Sequence, residues 1–140
     1  MSEALAATGQ VSVETLKQLL DAFNQHKLDR IMEFFSDDAT FDMPRGPRPW
    51  GARYVGSDQV RKGLATRFVG IPDVHYAADR HWVSGDRGAS EWLLTGTSVA
   101  GQKIRVQGCD LFEFRDGKII RKDSYWKLVE PLAGSIRRKA

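Results

Sequence analysis

Residues 103–127 constrain the fold more than any other stretch. They read KIRVQGCDLFEFR, then Asp116-Gly117, then KIIRKDSYWK. Asp-Gly between two apolar-rich runs is a strong hairpin signal, because both turn positions accept φ > 0. The pattern predicts two antiparallel strands. Strand side chains alternate between faces. Ile104, Val106, Gly108, Asp110, Phe112 and Phe114 therefore share one face, and Arg105, Gln107, Cys109, Leu111, Glu113 and Arg115 the other. The first row faces a core and holds a single carboxylate, Asp110. On the returning arm, Ile120, Lys122, Ser124 and Trp126 alternate with Arg121, Asp123 and Tyr125.

Upstream, the spacing predicts three helices. Helix one starts near Ser12, which can cap it, with Glu14 in its positive first turn and Val13, Leu16, Leu19, Leu20 and Phe23 on one stripe. Helix two follows from Leu28, with Asp29 as N-cap, Ile31, Phe34 and Phe35 buried, and Asp37-Asp38 as its break. Residues 39–43 form a short extended piece. Residues 44–56 hold Pro44, Pro47, Pro49, Gly46, Gly51, Gly56, three arginines, Trp50 and Tyr54, a density that precludes a helix. Two readings of this loop stand level: a functional one, and a packed surface loop whose Trp50 covers core. Ser57 caps helix three, with Val60, Leu64 and Phe68 inward and Arg61, Lys62 and Arg67 outward. Gly70-Ile71-Pro72 stops it. Residues 74–83 and 89–98 are two more strands, turned by residues 84–88 and near Ala100-Gly101. Three helices followed by four antiparallel strands make an α+β domain: helices packed on a strongly curved sheet, a cone whose apolar interior is a natural ligand cavity.

The chain of 140 residues, 41% hydrophobic and 28% charged, suits one domain of residues 12–130, with a flexible leader (1–11) and a basic tail (131–140). No apolar run reaches the ~18 residues that span a bilayer, and the leader lacks the pattern of a signal peptide. The lone cysteine, Cys109, fits a reducing cytoplasm. A net charge of +3 with its basic run in the tail predicts no nucleic-acid partner and no membrane partner. His75 and His81 are six apart without a third ligand, so no metal site is expected. No phosphate loop or nucleophile elbow is present, and no cofactor is expected.

Four motifs resemble the NTF2-like superfamily, in its SnoaL-like and ketosteroid-isomerase-like branches. They are Ala22-Phe23-Asn24-Gln25-His26-Lys27-Leu28-Asp29, then Phe34-Phe35-Ser36-Asp37-Asp38-Ala39-Thr40-Phe41, then Tyr54-Val55-Gly56, and finally Cys109-Asp110-Leu111-Phe112-Glu113-Phe114-Arg115-Asp116-Gly117-Lys118-Ile119. The second is similar to the family's "LFADDATF" junction and the fourth to its "D-x-F-x-F-x-D-G-K-I" hairpin. The resemblance implies a cone-shaped α+β barrel that dimerises through its sheet. Fold alone does not set function, since this architecture hosts enzymes, binding modules and transport factors.

The resemblance carries residues over one by one. In the ketosteroid isomerases an aspartate on the last hairpin is held protonated by its apolar site, and Asp110 matches that position. The isomerase base corresponds to Met43 here and its tyrosine to Leu19, so that mechanism lacks two of its three parts. Asp42 is one residue early and points to the opposite face. The final-strand aspartate of the limonene-epoxide hydrolases aligns with Ser124, and their Asp–Arg pair has no match near Trp92 and Leu94. SnoaL-type polyketide cyclases, which use a pocket carboxylate, are closer in pattern. The alignment implies Ser124 and Trp126 inside, Lys122 near the narrow end or rim, and Asp123 and Tyr125 outside.

Asp110 is the expected catalytic residue, its proton affinity raised by burial. Its alternative is a structural hydrogen bond to a neighbour such as Tyr54, Trp92, Trp126 or a histidine. Met43, Trp50, Tyr54, Trp92, Phe112, Ser124 and Trp126 are the expected pocket wall. A dyad of Asp110 with His75 or His81, and catalysis by Asp123, are weaker alternatives. Three functions remain open: a cofactor-free isomerase, cyclase or dehydratase acting on a small hydrophobic carbonyl compound; a binding module without chemistry; and a dimeric interaction scaffold.

Overall fold

A computed structural model describes residues 10–131. The expected leader and basic tail fall almost wholly outside these residues. The element order is α1 (Val13–Asn24), α2 (Leu28–Met32), β1 (Phe35–Asp42), β2 (Arg53–Val55), α3 (Ser57–Gly70), β3 (His75–Ser84), β4 (Arg87–Thr97), β5 (Lys103–Arg115) and β6 (Lys118–Trp126). One six-stranded sheet runs β2-β1-β6-β5-β4-β3. This is the expected α+β cone, with one correction to its sheet. β1 joins β6 in parallel, so the sheet is mixed. The Pro/Gly-rich loop also supplies β2, antiparallel to β1.

The local reasons are visible. Ser12 caps α1, its hydroxyl accepting from the Thr15 amide while Thr15 Oγ1 accepts from the Ser12 amide. Leu16, Leu19, Leu20 and Phe23 are buried, whereas Val13, the first residue of the helix, is exposed. At the exit of α1, the Asn24 side chain donates to the Tyr76 carbonyl and accepts from its amide, and His26 bonds the Val74 carbonyl. These bonds fasten α1 to β3 and give the Ala22–Asp29 motif a physical role.

Two caps differ from expectation. Lys27, not Asp29, precedes α2, and no side chain caps it; Asp29 instead pairs with Arg61 of α3. Gly56, at φ +87°, precedes α3, so Ser57 is its first residue. α2 also ends early. Phe35 already pairs with Ile119, and Asp37-Asp38 sit within β1 at a register shift.

The last hairpin follows its pattern closely. Asp116 and Gly117 take φ of +52° and +77°, as a two-residue hairpin turn requires. Val106, Asp110, Phe112 and Phe114 are buried, and Arg105, Gln107, Leu111 and Arg115 are exposed. A shift between Glu113 and Phe114 inserts Ile120 as an extra residue in β6. Ile119 therefore takes the core position expected of Ile120. A second bulge lies in β3 between Ala77 and Arg80, with Ala78 at φ +52°.

Candidate functional site

The interior face of the sheet carries a row of directly opposed polar positions. His81 of β3 faces Ser90 of β4, Ser90 faces Asp110 of β5, and Asp110 faces Ser124 of β6. Two residues before Ser124 on the same face lies Lys122. Helix α1 and the aromatic rings of Phe23, Tyr76 and Phe112 close over this row.

Asp110 is only 4% exposed. Lys122 Nζ donates to its Oδ1 at 2.9 Å, and Ser124 Oγ donates to the same oxygen at 2.5 Å. Trp92 Nε1 donates to Oδ2 at 3.0 Å. Lys122 Nζ also donates to Ser124 Oγ at 2.8 Å, closing a three-membered ring of bonds. The Lys122 side chain is 7% exposed and Asp110 6%. Burial pushes the Lys122 ammonium below its ordinary range, opposed by the Asp110 charge. Its Nζ lies 4.8 Å from the Phe41 ring centroid and 5.5 Å from that of Phe23. An ammonium has three protons. Two are used by Asp110 and Ser124, which leaves one for a bound molecule.

Gly108 makes the Trp92 bond possible. It stands opposite Trp92, and a Cβ there would meet the indole at 2.6 Å. Without that Cβ the ring lies flat across β5 and brings its N–H to Asp110. Tyr76, missed by sequence reasoning, stands edge-on to Trp92 at 5.0 Å. Burial raises its phenol pKa.

The other expected site residues divide. Trp92, Phe112, Ser124 and Trp126 line interior voids. Tyr54 stacks on Phe41 at 6.1 Å, a layer behind the voids, with Gly63 pressed against its ring. Met43 is partly buried and packs against the core. Trp50 is 44% exposed and lies under the Arg53 guanidinium at 4.8 Å. Trp50 is not among the side chains that line the two interior voids. His75 is exposed, because the β3 bulge separates the two histidines that a regular strand would put on one face. His81 bonds Ser90 and Asp79, not Asp110.

Three corrections follow from the packing. Lys122 sits at the centre of the site rather than at a rim, as the direct partner of Asp110. Arg67 does not point away: its guanidinium covers the Trp126 ring at 4.4 Å. The cone interior is also largely filled. One void, beside Ser90, Asp110 and Lys122, leaves about 10 Å³ to the centre of a water-sized sphere. A second, of the same size, lies under Arg67 and Trp126. Large rings and the Lys122 stem occupy what the curvature encloses.

The outer face is a separate polar system. Asp42, fully buried, accepts from Arg53 Nε at 2.7 Å and Nη2 at 3.0 Å. Arg121 reaches Asp42, Asp123 and Glu113, each at 3.2 Å. Cys109 faces outward beside Tyr125, its thiol pKa raised chiefly by burial.

A mixed, strongly curved sheet closed by three helices, with a carboxylate on its inner wall, defines a cone of the NTF2-like class. The model for the SnoaL-like domain matches residues 16–122, and the chain belongs to that family. Among solved structures it is similar to a provisionally named polyketide cyclase from Pseudomonas putida KT2440 (TM-score 0.75, 20% identity, 85% of this chain and 93% of that one). It is also similar to an NTF2-like protein of unknown function from Burkholderia pseudomallei K96243 (TM-score 0.72, 21% identity, 89% and 93% covered). A third is a protein of ketosteroid-isomerase-like fold from Catenulispora acidiphila DSM 44928, in complex with trimethylamine (TM-score 0.71, 19% identity, 84% and 88% covered). No curated protein matches the sequence. Among the described residues, no helix is long and apolar enough to cross a membrane.

Proposed function

We propose that this protein is an enzyme that moves a proton on a small, hydrophobic, carbonyl-bearing molecule held in the cone, as in isomerisation, aldol-type cyclisation or dehydration. The observation that carries it is the buried Asp110–Lys122 pair with Ser124 and Trp92. Replacing a buried ion pair by apolar side chains is often neutral or stabilising, so stability alone gives little reason to keep one here. Asp110 is the proton carrier. Lys122 places its remaining N–H on the carbonyl oxygen, where negative charge develops. Trp92, Phe112 and Trp126 form the apolar wall. The molecule enters where Arg67 covers Trp126, lifting the guanidinium off the ring and parting the side chains around the two small voids.

The test is solvent deuterium uptake. Cyclic ketones and 1,3-diketones are incubated with the protein in D2O, and α-deuteration is followed by mass spectrometry. The expected result is acceleration by the wild type and none by Asp110→Asn, assayed at a temperature where circular dichroism shows the variant still folded. Equal rates in the two proteins overturn the assignment. A second reading, binding without chemistry, is favoured by the apolar Met43 and Leu19 at positions where an isomerase has its base and tyrosine. A carbonyl compound that binds tightly and keeps its protons in the wild type would establish it.

The same reading places two copies back to back through the outer sheet face. Leu111 and Tyr125 are exposed there at 44% and 52%. Around them Arg80 and Glu91, and Arg121 with Glu113, set both charges on one surface, which suits self-association. Leu111→Glu should turn a dimer into a monomer in light scattering; a monomeric wild type removes the idea. The lone cysteine suits a reducing cytoplasm.

A further inference from the structure

His81 holds a second chain of polar groups that ends in the same interior. Its side chain is 1% exposed, while that of its partner Asp79 is 38% exposed. The ring Nε2 lies 2.6 Å from Asp79 Oδ2, and Nδ1 lies 2.7 Å from Ser90 Oγ. A carboxylate only accepts, so Nε2 carries a ring proton; in the tautomer with its single proton there, Nδ1 accepts from the Ser90 hydroxyl. Ser90, 3% exposed, keeps free lone pairs toward the void that it lines with Asp110 and Lys122.

That void has room for about one water. Four polar side chains line it: Tyr76, Ser90, Asp110 and Lys122. Ser90 and Asp110 occupy directly opposed positions on β4 and β5, where Cβ atoms sit about 5 Å apart, a span that one water bridges.

We infer that Asp79, His81, Ser90 and one water form a proton relay between solvent and the Asp110–Lys122 pair. The transfer balances at each step. A proton leaving the pair passes to the water, and the water gives one to Ser90 Oγ. Ser90 gives its own to His81 Nδ1, and His81 gives the Nε2 proton to Asp79, which releases it to solvent. Re-tautomerisation of the ring resets the chain, and the reverse sequence reloads the pair. Other charges facing the chain are Lys17 of α1, which acts on Asp79, and Asp110 and Lys122 themselves. The β3 bulge is what builds the relay, because it turns His81 inward on the same face as Tyr76.

The relay serves the proton-transfer reading above, but its test needs no substrate and can fail alone. Water exchange of the Trp92 indole proton and the Lys122 ammonium protons is measured by NMR at fixed pH on the full chain. Ser90→Ala and His81→Phe are expected to slow both by at least about fivefold, while Ser90→Thr, which keeps the hydroxyl, restores the wild-type rate. Asp79→Asn, at the exposed end, should slow them too, since an amide takes up no proton. Unchanged or faster exchange in Asp79→Asn and Ser90→Ala overturns the relay. A merely structural His81 would give the faster result, because loosening the packing admits water.

Discussion

Two buried carboxylates lie on opposite faces of one sheet and are treated differently. Asp42 on the outer face is matched by Arg53 and Arg121, whose side chains are 39% and 35% exposed. Asp110 on the inner face is matched by Lys122, which is as buried as it is. Arginine binds a carboxylate with two parallel N–H groups and is always charged. Lysine is a point charge that yields its proton when desolvated. The outer cluster is therefore a fixed clamp joining β1, β2 and β6. The inner pair keeps a titratable lysine and a carboxylate where water is scarce. In the inner pair, burial makes the Lys122 proton easier to lose.

The comparison breaks most visibly in turnover. Asp110→Asn should lower the rate of α-deuteration by on the order of 10²–10⁴, whereas Asp42→Asn should leave it within about threefold. Stability comes next. Lys122→Met leaves Asp110 buried without its cation and should cost about 3–5 kcal/mol in urea unfolding. Adding Asp110→Leu should return most of that loss, because the pair's worth to folding is small. A double variant as unstable as the single would make the inner pair a second clamp. Asp42→Asn should cost less, about 1–3 kcal/mol, since the two arginines it releases can reach solvent. The smallest effect is in acid. Its bond to His81 holds the Asp79 carboxyl below 3.8. The native state then binds that proton less tightly than the unfolded chain. The resulting stability is complete above pH 3.8 and fades as pH falls through the lower, folded value. Asp79→Asn should flatten that limb of the acid-unfolding curve; an unchanged limb would separate Asp79 from His81.

The site was legible in part. Asp110 followed from alternation in β5, and Ser124 and Trp126 from the resemblance. Lys122 shared their face, but nothing local said that its ammonium would stay inside. Its placement needs Ser124 beside it and Asp110 across from it, on a neighbouring strand. Arg67 misled because a charged residue on a helix normally turns to water; the exposed face of Trp126 gives its guanidinium a surface to cover. His81 misled for another reason. A count of six from His75 assumes a regular strand, and the bulge at Ala78 breaks the count.

What the sequence determined by itself is whatever depends on near neighbours: the Ser12 cap, the helix stripes, the Asp116-Gly117 turn and the alternation that sets Asp110 inward. These follow from backbone sterics and period, which act over a few residues. The tertiary structure decided the parallel pairing of β1 with β6, the two bulges, the filling of the cone and the company Asp110 keeps. Those outcomes depend on which side chains meet across strands distant in sequence, where volume and charge must be satisfied together.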